Sequence, residues 1–190
     1  WNRKKIVYDL VLLAGVIVYI GAAIALDWRK QPPQNAADLC GLWIRASGAC
    51  AFLMLTLVLS IGPLARLSRV FLPLLYNRRH FGVLTCIVAL THFAAVLGWY
   101  VADGHPFNLL FELTKWSDYA SFSTISFKAY GLVAFLIMLL LAATSHDYWL
   151  AFLTPRVWKA MHRLTCLAYG LVLIHVAGGL WQDERSPWIA

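Results

Sequence analysis

The chain has 190 residues, of which 61% are apolar and 13% charged, with a formal net charge of +7 and a mean hydropathy of +0.68. Soluble domains are about 45–50% apolar and about 25% charged. This composition excludes an ordinary soluble enzyme, a disordered chain and a nucleic-acid binder, because the basic residues lie between long apolar runs, as in a membrane protein.

Five apolar stretches are long enough to cross a bilayer, since a spanning helix needs about 20 residues. They cover residues 6–26, 42–61, 81–101, 125–144 and 157–180, and the second should stop at Gly62-Pro63. The predicted fold is an all-α integral membrane bundle of five helices, in one transmembrane domain over residues 1–190 and without an internal repeat. The chain begins with tryptophan and its last five residues resemble a helix start, so we expect a fragment that lacks a sixth span.

The loops between the spans differ in basic charge. Ten of the 16 Lys and Arg residues fall on one side: Arg3, Lys4, Lys5, Arg66, Arg69, Arg78, Arg79, Arg156, Lys159 and Arg163. Because cytoplasmic loops carry the excess of Lys and Arg, the N-terminus is predicted to be cytoplasmic.

Four of the six histidines lie on only two of the spans: His80 and His92 on the third, and His162 and His175 on the fifth. In the predicted orientation His80 and His162 are near the inner end, whereas His92 and His175 are deeper, toward the outer half. Spacings of 12 and 13 residues correspond to about 18–20 Å along a continuous helix. Ionisable residues at membrane depth are costly and indicate function.

Two facing helices with histidines at two depths are typical of bis-histidine ligation of two stacked b-type haems, with neutral imidazoles on both sides of each iron. His92 and His175 have apolar neighbours, which favours this outer pair. His80 follows two arginines, so it could instead lie at the membrane surface. Intramembrane histidines also serve as hydrogen-bonded core residues or as proton relays, but a relay needs carboxylates at depth and the spans contain only Asp9, near one end.

Two histidine motifs resemble those of the ferric-reductase-like transmembrane superfamily, which includes ferric reductases and NADPH oxidases. The first is Arg78-Arg79-His80-Phe81-Gly82 with His92, and the second is Trp158-Lys159-Ala160-Met161-His162-Arg163-Leu164 with Tyr169 and His175. The resemblance covers roughly residues 40–180. It is strongest to the haem-binding membrane subunits of periplasmic methionine-sulfoxide reductase systems.

This resemblance implies a six-helix haem b protein that passes electrons between the two sides of the membrane. His92 and His175 match the haem ligands, and His162 matches the ligand one haem level inward. His80 departs from the pattern, which leaves the second ligand of an inner haem open. Three arginines beside these histidines could contact haem propionates, although the positive-inside rule explains them equally well: Arg78, Arg79 and Arg163.

The predicted function is a membrane b-type cytochrome that serves as the electron-transfer subunit of an oxidoreductase system. The donor would be a cytoplasmic flavin reductase or the quinone pool, and the acceptor a periplasmic redox partner. No GxGxxG motif is present, so any flavin would belong to another domain or chain. Three further hypotheses are the catalytic core of a ferric reductase or NADPH-oxidase-like enzyme, a fusion with another redox domain, and a haem-free membrane scaffold.

Overall fold

A computed structural model describes residues 3–114 and 126–182, and its regular elements over these residues are helices. A single 3₁₀ turn, Arg69–Phe71, joins the second and third helices. The helices are α1 (Arg3–Lys30), α2 (Ala36–Leu67), α3 (Leu72–Tyr76), α4 (Arg78–Ala102), α5 (Asn108–Thr114), α6 (Phe127–Ala143), α7 (Asp147–Phe152), α8 (Thr154–His162) and α9 (Leu164–Gln182). The chain divides into two compact units, the first ending at Pro106 and the second beginning at Phe107.

The prediction of an all-α membrane protein is confirmed. Within residues 3–114 and 126–182, four helical segments are long and apolar enough to cross a membrane: Lys5–Lys30, Ala36–Leu67, Arg78–Ala102 and Thr154–Leu180. The fourth predicted span corresponds to α6, which has 17 residues and is therefore about 26 Å long. Residue 125, the first of that predicted span, lies outside the described residues. So do residues 186–190, where a sixth span was expected to start.

In the first unit, α2 packs along α4, and α1 packs against α2. The buried cluster contains Ile20 from α1, five residues of α2 and two of α4. The α2 residues are Ala46, Cys50, Met54, Val58 and Ile61, and the α4 residues are Phe81 and Val88. The opposite face of α1 is apolar and exposed, with Val11 65% and Val18 69% accessible. Because lipid is as apolar as these side chains, close packing rather than burial from water must hold the helices together.

Helix α2 extends beyond the point at which its sequence predicts an end. Asn35 caps its start, since its side-chain oxygen accepts the N–H of Asp38 at 2.8 Å. The expectation that the span stops at Gly62-Pro63 is wrong, because the helix continues through Pro63 to Leu67. Proline removes one backbone donor, which membrane helices tolerate where neighbouring groups satisfy the freed carbonyl.

In the second unit, α6 packs against α9, and its buried residues include Phe135, Met138 and Ala168. The predicted fifth span, residues 157–180, is assigned as two helices, because the regular α-helical pattern is interrupted at the single residue Arg163, which keeps helical dihedral angles. The 13-residue spacing from His162 to His175 therefore crosses this one-residue interruption, within the single apolar segment Thr154–Leu180.

Candidate functional site

The imidazole of His92, near the middle of α4, lies against α2. Its Nδ1 is 3.0 Å from the backbone carbonyl oxygen of Ile44. Gly48 faces the ring so closely that a Cβ atom there would lie 3.0 Å from both Nδ1 and Cε1 of His92. The half-buried imidazole thus occupies space that the missing side chain of this glycine leaves open.

The imidazole of His175, on α9, lies against α6 in the same way. Its Nδ1 is 2.9 Å from the carbonyl oxygen of Phe127. A Cβ atom at Gly131 would lie 2.6 Å from Nδ1 and 2.7 Å from Cε1 of His175. The ring of Phe127 adds a tilted contact, with ring centroids 5.3 Å apart.

These two arrangements share one spacing. In each, the carbonyl precedes the histidine by 48 residues. The glycine follows that carbonyl by one helical turn, at Gly48 and Gly131. Side chains on a helix tilt toward its N-terminus, so the side chain of residue i+4 lies over the carbonyl of residue i. A glycine at i+4 leaves that carbonyl accessible to the imidazole of another helix. We call this combination of imidazole, backbone carbonyl and glycine a histidine seat.

The equal spacing reflects a repeat in the sequence. A shift of 83 residues superimposes the pattern Ala-x-Gly-x-x-Ala-Phe-Leu of residues 46–53 on residues 129–136. The same shift superimposes His-x-Ala-x-x-Leu of residues 92–97 on residues 175–180. The expectation that the chain lacks an internal repeat is therefore wrong: the helix pairs α2–α4 and α6–α9 are related, and His92 and His175 occupy equivalent positions.

The hydrogen bonds define the tautomer of both rings. A carbonyl oxygen only accepts, so Nδ1 must carry the proton, and in a neutral imidazole the lone pair then resides on Nε2. Metal-binding histidines are commonly oriented by such an Nδ1–H bond to a carbonyl, which also raises ligand basicity. Over residues 3–114 and 126–182, no group of three or more His, Cys, Asp or Glu side chains forms a metal cluster.

His80 has a different environment. It lies in the first turn of α4, and its Nδ1 is 2.9 and 3.0 Å from the two carboxylate oxygens of Asp9 on α1. The two side chains are 32% and 29% exposed. Sequence analysis identified Asp9 as the acidic residue within the spans but not its contact with His80, because the two residues are 71 positions apart.

His162 ends α8 and is held within its own helix. Its Nδ1 is 3.1 Å from the carbonyl oxygen of Trp158, and the two rings stack with centroids 3.8 Å apart. The indole N–H of Trp158 donates to the carbonyl oxygen of Thr144 at 3.0 Å, which ties α8 to the end of α6. Under the 83-residue shift, His162 corresponds to Arg79 and His80 to Arg163, so these two histidines are not equivalent.

Comparison with known sequences places the chain. The family described as "Ferric reductase like transmembrane component" matches residues 45–183. The chain belongs to this family. It is also 28% identical, over 98% of its own length and 82% of the relative's, to the "Protein-methionine-sulfoxide reductase heme-binding subunit MsrQ" of Caulobacter vibrioides. No solved structure matches it. The resemblance predicted from the histidine motifs is thereby confirmed.

The region matched by the ferric reductase-like family contains the two seat histidines, the other two candidate histidines (His80 and His162) and the three predicted arginines. Arg78 is half-buried beside Gly62, where a Cβ atom would lie 3.8 Å from its guanidinium. Arg79 and Arg163 are exposed and adjoin His80 and His162 in sequence. A contact of these arginines with a bound group stays a prediction.

Sequence analysis of this ferric reductase-like chain missed the two glycines. The signal was present, because each stands 44 residues before its histidine and begins the same Gly-x-x-Ala-Phe-Leu pattern. Without the packing of α2 on α4 and of α6 on α9, nothing connected glycine to histidine.

Proposed function

We propose that the chain is a membrane b-type cytochrome in which His92 and His175 would hold one haem through their Nε2 atoms. The observation that carries this proposal is the repeated histidine seat, which gives two equivalent imidazoles the tautomer required for ligation through Nε2. The name of the Caulobacter relative, a heme-binding subunit, supports the same cofactor.

Bound haem would supply a one-electron carrier whose potential depends on its ligands and on the polarity around the ring. The chain's own residues hold each imidazole by its Nδ1–H and keep Nε2 unprotonated. The apolar residues that flank His92 and His175 in sequence, such as Phe93 and Val176, would exclude water from the ligands.

A second, inner haem would use His162 and His80, with Arg78, Arg79 and Arg163 as partners of the propionates. The carboxylate of Asp9 supports this part of the proposal, because a carboxylate on Nδ1 orients a ligating imidazole and increases its basicity. The fixed tautomer of His162 supports it as well, since its Nδ1 faces the Trp158 carbonyl.

Electrons would pass from a cytoplasmic flavin reductase or the quinone pool to a periplasmic redox partner, across a bacterial inner membrane with the N-terminus inside. The excess of Lys and Arg on the proposed cytoplasmic side supports this orientation. The relative's name, a subunit of a methionine-sulfoxide reductase, supports a separate redox partner as acceptor. The chain would then act as a relay.

The match to a ferric reductase-like family favours a second candidate, in which this chain is the catalytic core that itself reduces ferric iron or oxygen. The two functions are separable by reoxidation of the chemically reduced protein. A relay is reoxidised fastest by its protein partner, whereas a catalytic core turns over with a ferric chelate or oxygen and needs no partner.

The decisive experiment is the haem content of the protein purified in detergent, with a reduced-minus-oxidised spectrum, for wild type, His92→Ala and His175→Ala. His146→Ala is the matched control, because His146 caps α7 by accepting the N–H of Tyr148 at 3.2 Å. We expect both seat variants to lose the outer haem and the control to retain it. A folded wild-type protein that binds no haem would contradict the proposal and leave the scaffold hypothesis.

A further inference from the structure

We propose that Gly48 and Gly131 are positioning residues that set the orientation of the two seat imidazoles toward the haem. This inference rests on the proposed function and deepens it. Neither glycine is a haem ligand. Each would keep Nδ1 of its histidine, His92 or His175, hydrogen-bonded to the backbone carbonyl of the seat, and would thereby fix the direction of Nε2.

The contacts of the two glycines support this assignment. The three atoms nearest to a Cβ at Gly131 all belong to the imidazole of His175, at 2.6, 2.7 and 3.0 Å. Those nearest to a Cβ at Gly48 all belong to His92, at 3.0, 3.0 and 3.9 Å. Thus the space that each glycine leaves is filled by one histidine ring and not by general helix packing.

The repeat is an independent observation for the same conclusion. The residues that provide the carbonyl differ in the two seats, Ile44 and Phe127, whereas the glycine one turn later is the same. Close contact with a histidine ring is not general among the helical glycines, because a Cβ at Gly21 on α1 or Gly170 on α9 would meet nothing within 4 Å, and one at Gly178 on α9 would meet Phe127 and no histidine.

A methyl group at residue 131 would lie well inside van der Waals distance of the His175 ring. The imidazole would have to move, which would lengthen or break its hydrogen bond to Phe127 and change the direction in which Nε2 points. Loss of such an orienting contact lowers metal affinity about 10–100-fold. At residue 48 the approach is 3.0 Å, so the displacement and its effect should be smaller.

The test compares Gly131→Ala and Gly48→Ala with the matched controls Gly170→Ala and Gly21→Ala, which add the same methyl group where there is space. The measurements are haem affinity, midpoint potential and the electron paramagnetic resonance spectrum of the oxidised haem. We expect about 10–100-fold weaker haem binding and an altered low-spin signal for Gly131→Ala, a smaller change for Gly48→Ala, and wild-type values for both controls. An unchanged signal, potential and affinity in Gly131→Ala would overturn the inference.

A double-mutant cycle covers the case in which Gly131→Ala only weakens the fold. If the glycine accommodates the imidazole, Gly131→Ala lowers the thermal stability of the haem-free protein when His175 is present but not in a His175→Ala background. Equal destabilisation in both backgrounds would show a general packing role and contradict the inference. This cycle needs no haem, so a wild-type protein without haem would refute the proposed function while the cycle still decides on the glycine.

Discussion

The two helix pairs, α2–α4 and α6–α9, are alike at their histidine seats and different near the N-terminal ends of α4 and α9. In the seats, imidazole, carbonyl and glycine recur with the same spacing. Near the other ends, His80 contacts the Asp9 carboxylate, whereas His162 contacts the Trp158 carbonyl of its own helix, α8, which Arg163 separates from α9.

This difference indicates where a shared task has constrained the chain. The seats have the same local geometry in both copies of the repeat, which agrees with the proposal that both histidines ligate haem. The residues aligned with His80 and His162 are arginines, so each copy has a histidine and an arginine there in opposite order. An inner haem would consequently have two unlike ligands, and an outer haem two similar ones.

The largest expected effect is on the seats. Because they are equivalent, His92→Ala and His175→Ala should each abolish the outer haem and stop electron transfer to the same extent, measured as haem per polypeptide and as the rate of reoxidation by an acceptor. A variant that retains its outer haem would break the equivalence and show that the two seats have different tasks.

The inner histidines should have an intermediate effect. We expect His162→Ala and His80→Ala to remove about half of the haem and to leave the outer spectrum unchanged, because the seats lie on other turns of the helices. If His80→Ala kept both haems, His80 would serve only as the partner of Asp9, and the inner iron would have another second ligand.

A smaller effect is expected from Asp9→Asn, which keeps the side-chain volume but removes the negative charge beside His80. The imidazole becomes a weaker donor to iron, so the midpoint potential of the inner haem should rise, and its affinity should fall by up to about tenfold, the lower end of the range for such contacts. Potentiometric titration measures both haems separately. The control is Asp27→Asn. The Asp27 carboxylate pairs with exposed Arg45 at 3.0 Å and not with a histidine, so its loss should leave both potentials unchanged.

The smallest effect concerns the indole of Trp158. Trp158→Phe retains a ring against His162 but removes the N–H donated to Thr144, which should lower the free energy of unfolding by about 1 kcal/mol. Chemical denaturation in detergent would measure this change, with Trp149→Phe as the control because it keeps the bond to Thr144. A loss of inner haem in Trp158→Phe would show that this contact also positions His162.

Hydropathy and spacing were sufficient to predict the all-helical membrane fold, because long apolar stretches have few options in a bilayer. They did not predict the interruption at Arg163, because it is a single residue that keeps helical dihedral angles. They also did not predict that α2 continues through Pro63. Local pattern does not show where a neighbouring helix supports an irregularity.

The candidate site was predicted in part. The four histidines were identified by type and depth, but their partners were not, because Ile44, Phe127 and Asp9 approach them only through the packing of distant segments. The glycines had a detectable signal in their repeated motif and spacing. Aligning the sequence with itself so that His92 matches His175 brings Gly48 onto Gly131, which identifies both glycines.

The use of main-chain carbonyls in the seats has a consequence for sequence divergence in this family. A carbonyl oxygen is present whatever the side chain, so Ile44 and Phe127 can differ without loss of the hydrogen bond. Selection at these two positions would act on side-chain size and hardly on chemistry, whereas it would act strongly on the glycine and the histidine. Alignments of such proteins should therefore show variable residues at the two acceptor positions. Residue conservation would then not reveal the backbone carbonyl to which each histidine is hydrogen-bonded.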